Sequence, residues 1–403
     1  MLPVWLLIKL APKPNPILMI AQKAKEITPF IVMEVLEKAA EMEQRGINVI
    51  HLEVGEPDFD VPKCVSVAEQ KAFDEGRTHY THSLGDPELR KQIAEKYKEE
   101  YNVSVSPEQI IVTSGSSPAI LLTLGVLCDA GDEVIISDPG YACYENFIRF
   151  IGAKAIKVPV YEEDGFQYRY EEIKKRITDR TRAIMINSPM NPTGNLLSVE
   201  LMKDLTTFDI PIVSDEIYHG LVYEDRAHSI LEVSDKAFVL NGFSKRYAMT
   251  GLRLGYVIAP QEYVRCMQKM QQNLFICAGS TTQRAGIEAL KNAGEEVEEM
   301  RLTYDKRRRY LIDRLTRLGF DIKVKPTGAF YVLVNAKHLS NDSYKLAFDI
   351  LEKAHVGVTP GIDFGDNGEG FLRFSYANSI ENIEEGMNRL QNYLAKYHNL
   401  TRD

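Results

Sequence analysis

The sequence predicts an α/β protein, with a large domain built on a mostly parallel seven-stranded sheet covered by helices, plus a smaller α+β domain. Three observations predict this. The 403 residues exceed what one hydrophobic core usually serves. Seven short β-branched runs with little polar alternation recur between residues 110 and 260, separated by helical segments; such runs suit strands covered on both faces. After residue 280 the character changes to long charged helical stretches with a few strand-like runs, the pattern of an α+β unit.

In chain order, the apolar opening MLPVWLLIKL has no basic region before it and no small-residue cleavage site after it, and it is too short to span a bilayer. It is expected to be an N-terminal arm packed on another surface. IVMEVLEKAAEMEQRG (31–46) reads as an amphipathic helix, followed by strand-like INVIHLEVG and the loop EPDFDVP. The seven strands follow as IIVTSG (110–115), EVIISDP (133–139), AKAIKVPV (153–160), TRAIMINSP (181–189), IPIVSDEIY (210–218), AFVLNGFS (237–244) and LGYVIAP (254–260). The last two are joined without a crossover helix, so the final strand is expected to run antiparallel. Next comes one long charged helical stretch (283–319), then DIKVKP, AFYVLVNA, a helix near 343–354, strand-like FLRFSYA and a terminal helix. The expected division is 1–53 as N-terminal arm and helix belonging to the small domain, 54–285 as the large domain, and 286–403 as the small one.

A hydrophobic share of 44% with 26% charged residues is ordinary for a globular protein. The net charge of -9 offers no basic footprint, which argues against nucleic acid or an anionic membrane as partner. Five cysteines lie scattered without a C-x-x-C pair, so reduced thiols, no metal site and a cytoplasmic protein are expected.

The informative residues stand at the strand tips, where open α/β sheets bind their ligands. TSGSSPAI sets Gly115, Ser116 and Ser117 at a helix start, an anion cradle, although a serine there is also a common N-cap. SDPGYACYEN places Tyr141 beyond a turn, and NSPMNPTGN places Asn191, a polar donor, at the sheet mouth. PIVSDEIYHG ends an apolar run in Asp215, a carboxylate that is costly there without a cationic or hydrogen-bonding partner, with Tyr218 three residues on. NGFSKRYAMTGLRLGY brings Lys245 to a strand end beside Arg246 and near Arg253. Desolvation and neighbouring cations lower a lysine pKa and make the amine a nucleophile. A reactive amine, a carboxylate awaiting a cation, a phosphate cradle and a stacking aromatic are all satisfied by one ligand, pyridoxal 5'-phosphate.

Five ordered motifs carry a resemblance: Asn-Pro-Thr-Gly (191–194), Ser-Asp-Glu-Ile-Tyr (214–218), Phe-Ser-Lys (243–245), Met-Thr-Gly-Leu-Arg-Leu-Gly-Tyr (249–256) and Leu-Arg-Phe-Ser-Tyr-Ala (372–377). From VGEPDF (54–59) nearly to the C-terminus the chain resembles the class I, aspartate-aminotransferase-like pyridoxal-phosphate enzymes of fold type I. The resemblance implies an aminotransferase that moves an amino group from an L-amino acid to a 2-oxo acid, 2-oxoglutarate, by a ping-pong mechanism through a Lys245 Schiff base, with Lys245 then shuttling the proton. It implies that Asp215 holds the pyridine nitrogen, Tyr218 and Asn191 donate to the phenolic oxygen, and Tyr141 stacks on the ring. The phosphate would sit on Gly115, Ser116 and Ser117 with Arg253, joined by Tyr80 from a neighbouring subunit, which implies a homodimer with shared sites. Arg373, Gly55 and Asn191 would bind the substrate carboxylate.

Two departures bear on the substrate. TSGSSPAI lacks the lysine with which many aspartate-preferring relatives meet the second carboxylate, and Gly242 stands where some relatives carry a phosphate-binding serine. Two other readings stand beside the aminotransferase: a C–S β-lyase on the same fold, and a non-enzymatic regulator, for which no DNA-binding segment is visible.

Overall fold

The computed structural model describes residues 20–400. The apolar opening segment, expected to be a packing arm, lies outside the described residues. The large sheet holds β1 (Ile110–Thr113), β2 (Glu133–Asp138), β3 (Lys154–Pro159), β4 (Thr181–Asn187), β5 (Ile212–Asp215), β6 (Phe238–Gly242) and β7 (Gly255–Ile258), in the order β1-β7-β6-β5-β4-β2-β3. β7 is antiparallel to both neighbours, β1 and β6, and every other pairing is parallel. The antiparallel strand follows from its short connection, which cannot return the chain to the far edge.

Both faces of this sheet are apolar because alternate residues of each strand enter different cores. Ile110, Val112, Ile184, Ile186 and Val239 join one cluster, while Ile111, Ala183, Met185, Val213 and Leu240 join the other. This is a period of two with no solvated face. β3 lies at the sheet edge and is the least buried strand, with Lys154 exposed at its start, a charge that discourages pairing with another chain.

The second core forms around β8 (Tyr331–Asn335), β9 (Thr359–Pro360) and β10 (Phe371–Ser375), an antiparallel sheet in the order β9-β10-β8. Tyr304, Leu311, Phe330, Phe374, Met387 and Leu390 fill it. Ile50–His51 pairs in parallel with Val356–Gly357, which ties the N-terminal part of the chain to this core. Of INVIHLEVG, only those two residues are strand.

The structure departs from the sequence reading at two other places. The stretch read as one long helix is two, Ser280–Asn292 and Gly294–Arg317, separated by Ala293. The first buries Ala285, Ile287 and Ala289 in a large-sheet core, and the second buries Met300, Tyr304 and Leu311 in the other. Serving two cores requires the chain to turn between them. DIKVKP makes only an isolated bridge, Asp321 to Asn335. Lys323 leaves the sheet to pair with Glu162 at 3.0 Å, and the third strand of the small sheet is Thr359–Pro360 instead.

Candidate active site

The parallel strands β4, β5 and β6 end at Asn187, Asp215 and Gly242, and above these ends opens a cavity of about 360 Å³. It lies between the large sheet, the loop at 54–56, the start of helix Ile31–Gln44, and β8 and β10. Lys245, Asp215, Tyr218, Asn191, Tyr141 and Arg373 all line it, together with Gly55, Ser116 and Ser117. Residues up to 318 positions apart thus converge on one space, which places them in reach of a single ligand.

Asp215 is buried at the tip of β5. Tyr144 donates to its Oδ2 at 2.6 Å, and the Ile217 N–H donates to Oδ1 at 3.1 Å. Burial pushes its pKa up to about 6, against the pull of those two donors and of Lys245. A buried carboxylate held in this way is a receptor for a cation. Asn187 Nδ2 fixes the strand end by donating to the Asp215 carbonyl at 2.9 Å.

Lys245 follows β6 and donates from Nζ to the Gly55 carbonyl at 2.6 Å. Burial brings its pKa down to about 8; Glu56 opposes this, while Arg373 and Arg253 add to it. The amine is therefore substantially neutral near pH 8. Arg246, the cation next to Lys245 in the chain, turns the other way: Nη1 and Nη2 donate to Glu100 at 2.9 and 2.6 Å. That bidentate pair occupies its fork and leaves Arg373 as the cation with the larger effect on the amine.

Arg373, in the middle of β10, is 2% exposed. Nη1 donates to Asn191 Oδ1 at 2.9 Å, and Nη2 donates to the Glu53 carbonyl at 2.7 Å and to Thr359 Oγ1 at 3.1 Å. Its Cζ lies 4.1 Å from the Tyr331 ring centroid and 5.0 Å from that of Phe364. Nε is buried and has no hydrogen-bond partner within the protein, a donor left over for a ligand anion to satisfy.

Gly115 caps helix Ser116–Leu127 without a side-chain bond, at φ +91. A Cβ there would stand 2.5 Å from Arg253 Nη2, and one at Gly255 would stand 2.7 Å from the Ser116 nitrogen. Two glycines therefore let a guanidinium and a strand close on a helix N-terminus of twelve residues, where backbone N–H groups and the dipole favour an anion. A phosphate, an amine-reactive carbonyl and a cationic ring nitrogen would each meet a matching group here, so the residues present fit pyridoxal 5'-phosphate. Tyr80 is not brought to this cavity; it is 84% exposed on the surface of the chain.

Several residues of the site escaped the sequence reading. Tyr144 lies three residues after Tyr141, in the first turn of the helix Cys143–Phe150, with the two rings 5.1 Å apart edge to face, and that spacing was the available signal. Tyr331 hydrogen-bonds Tyr218, OH to OH, at 3.0 Å, and nothing local marks it apart from a core aromatic. Phe30, Val32, Met33 and Leu36 form an apolar wall from the first turns of helix Ile31–Gln44. Asp363 holds that helix start, accepting from the Ile31 N–H at 2.8 Å and the Val32 N–H at 3.3 Å. Among the described residues, no helix is long and apolar enough to cross a membrane and no acidic, His or Cys cluster could hold a metal.

A family model described as aminotransferase class I and II matches residues 47–390. The chain is 42% identical over 383 residues to the (5-formylfuran-3-yl)methyl phosphate transaminase of Methanocaldococcus jannaschii, covering 94% of this chain and 100% of that protein. It is 40% identical over 384 residues to the aspartate aminotransferase of Pyrococcus horikoshii, covering 93% and 97%. Among solved structures, Thermus thermophilus aspartate aminotransferase with maleate superposes with a TM-score of 0.89 at 36% identity, over 93% of this chain and 99% of that one. A Methanococcus jannaschii structure, described as similar in its active site to kynurenine aminotransferases, gives 0.87 at 41% identity, over 93% and 100%.

Proposed function

The chain belongs to the class I and II aminotransferase family and is a pyridoxal-phosphate-dependent aminotransferase, and from that premise we propose its substrates, its subunit arrangement and the work of each residue. The amino group passes from an L-amino acid to 2-oxoglutarate in two half-reactions that share the cavity at Lys245. Pyridoxal 5'-phosphate, when bound, supplies the electron sink that makes the substrate Cα–H acidic.

The chain's residues hold, orient and move protons around it. Asp215 pairs with the pyridine nitrogen, and Tyr218 and Asn191 donate to the phenolic oxygen. Asn191 is suited to this because Arg373 already occupies its Oδ1, which leaves the amide N–H₂ as donor. Tyr141 covers one ring face, and Gly115, Ser116, Ser117 and Arg253 hold the phosphate. Lys245 anchors the cofactor aldehyde and afterwards carries the proton at the substrate Cα. Arg373 binds the substrate carboxylate, with Gly55 beside it. The observation that carries this reading is the convergence of a lysine with its pKa lowered to about 8, a buried carboxylate and a buried arginine in one cavity.

The exposed Tyr80 supports a homodimer in which the partner subunit's Tyr80 completes the phosphate site. Tyr80→Phe is expected to weaken cofactor binding about tenfold, the loss of roughly one charge-assisted hydrogen bond, read as cofactor affinity by absorbance titration. An unchanged affinity removes Tyr80 from the site.

The main test is a panel of half-reactions. The cofactor-loaded protein is mixed with single L-amino acids, the loss of its visible absorbance is followed, and the 2-oxo acid released is identified by mass spectrometry. At least one amino acid is expected to discharge it, and 2-oxoglutarate to restore it. A panel without any response refutes the proposed donor class. The apolar wall of Phe30, Val32, Met33 and Leu36 favours a second reading for the acceptor, a ring-bearing carbonyl compound, in keeping with the named substrate of the Methanocaldococcus relative. Restoration by an aromatic aldehyde and not by 2-oxoglutarate would select it.

A further inference from the structure

Tyr331 belongs to none of the roles above, yet it touches two of them. It opens β8, is 1% exposed and lines the cavity. The antiparallel register pairs Arg373 with Leu333 and Ser375 with Tyr331, so Tyr331 and Arg373 are diagonal neighbours on one face of the small sheet, within reach of long side chains. The Tyr331 ring therefore lies under the guanidinium, 4.1 Å from centroid to Cζ. The far end of the same ring reaches the Tyr218 hydroxyl at 3.0 Å. The two rings meet edge to face, 5.8 Å apart at 80°. The hydroxyl also abuts the backbone of the 54–56 loop: a Cβ at Gly55 would lie 2.7 Å from it. Gly55 is the residue whose carbonyl accepts from Lys245.

We propose that Tyr331 is a positioning residue that joins the two ends of the site, its ring fixing the plane of Arg373 and its hydroxyl donating to Tyr218. The proposal rests on the reading of Tyr218 as donor to the cofactor's phenolic oxygen and of Arg373 as the carboxylate grip. Burial raises the pKa of both phenols, so both are protonated at neutral pH. Two hydroxyls in contact can share only one hydrogen bond. When Tyr331 is the donor, the Tyr218 proton is left for the cofactor, and a donor that itself accepts a hydrogen bond is strengthened by it. The aromatic face meanwhile holds a flat cation without occupying any of its N–H groups. A ring that only filled the core would do neither.

The test uses the cofactor-loaded enzyme and three variants. The pH midpoint of the bound cofactor's visible absorbance reports the donors on its phenolic oxygen: a donor stabilises the more negatively charged form and lowers the midpoint. Tyr218→Phe, the reference, is expected to raise it. Tyr331→Phe keeps the ring and the volume; it is expected to raise the midpoint by about half a unit, a fraction of the reference shift, with KM for the amino acid within about threefold of the parent. Tyr331→Met fills similar space without a π face and is expected to raise KM at least about tenfold. A moved midpoint in Tyr218→Phe together with an unmoved one in Tyr331→Phe overturns the proposal and leaves the reading of Tyr218 standing. An unmoved midpoint in Tyr218→Phe removes that reading and the proposal with it. A folded Tyr331→Met with parental KM overturns the role of the ring, and if that variant does not fold, the Tyr331→Phe midpoint decides the proposal alone.

Discussion

Lys245→Ala is expected to lower kcat by about 10⁴-fold or more, the full range of a positioned proton-transfer group. The structure shows why no neighbour substitutes for it. The other groups around the cavity that could hold a proton are Asp215, engaged by Tyr144 and Ile217, Glu56, engaged by the Thr250 hydroxyl, and tyrosines whose pKa burial raises. None of them stands where Lys245 Nζ sits, 2.6 Å from the Gly55 carbonyl. Lys245→Arg is expected to be equally inactive, because a guanidinium keeps the charge but cannot release the proton. Borohydride reduction of the loaded protein followed by peptide mapping is the direct check. The label is expected on Lys245, and a label on another lysine, or a Lys245→Ala enzyme with parental kcat, defeats the assignment.

The parts of the site that were legible in the sequence share one physical origin. A strand buried on both faces has no polar residue to spare, so a charge at its carboxyl end, such as Asp215 or Lys245, stands out against the apolar run before it. The same contrast located Asn191 and the Gly115 turn. What stayed hidden depends on contacts between distant segments. Arg246 adjoins Lys245 and carries the same sign, yet one residue of rotation aims it at Glu100, 146 positions earlier in the chain. Arg373 is legible through the resemblance, but its anchors, the Glu53 carbonyl and Thr359, are not, because no local pattern announces a backbone oxygen. Tyr331 and Tyr144 look like core aromatics because they are core aromatics, distinguished only by where their hydroxyls end. The helix break is a different case. Asn292-Ala293-Gly294 puts a glycine at the break, where it opens the second helix, and the charged periodicity on both sides of it masked the interruption.

Asp215→Asn is expected to move activity and stability in opposite directions. The carboxylate's pKa in the folded chain is about 6, against an ordinary value of 3.8. A raised pKa means that the fold favours the protonated form. The corresponding stability is fully present below about 3.8 and is lost as pH rises through 6. Above that window the cofactor-free protein carries a buried anion at a cost of roughly 3 kcal/mol, taking about 1.4 kcal/mol per unit. Asparagine fills the same space, keeps an acceptor for the Ile217 N–H and removes the charge. The cofactor-free variant is therefore expected to be more stable than the parent at pH 7.5 and no more stable at pH 4, as judged by denaturant midpoints. With cofactor the balance reverses, since the cation of the pyridine ring repays that cost only where a carboxylate faces it. A loss of about 10²- to 10³-fold in kcat is expected, the usual scale for removing one preorganised electrostatic partner. In the parent, the rise in melting temperature on loading the cofactor is expected to grow between pH 5 and pH 7, below the range in which Lys245 titrates, and to stay flat in Asp215→Asn. A variant that is less stable than the parent at pH 7.5 without cofactor, or one that turns over normally, contradicts the account of Asp215 as a strained anion held ready for a cation.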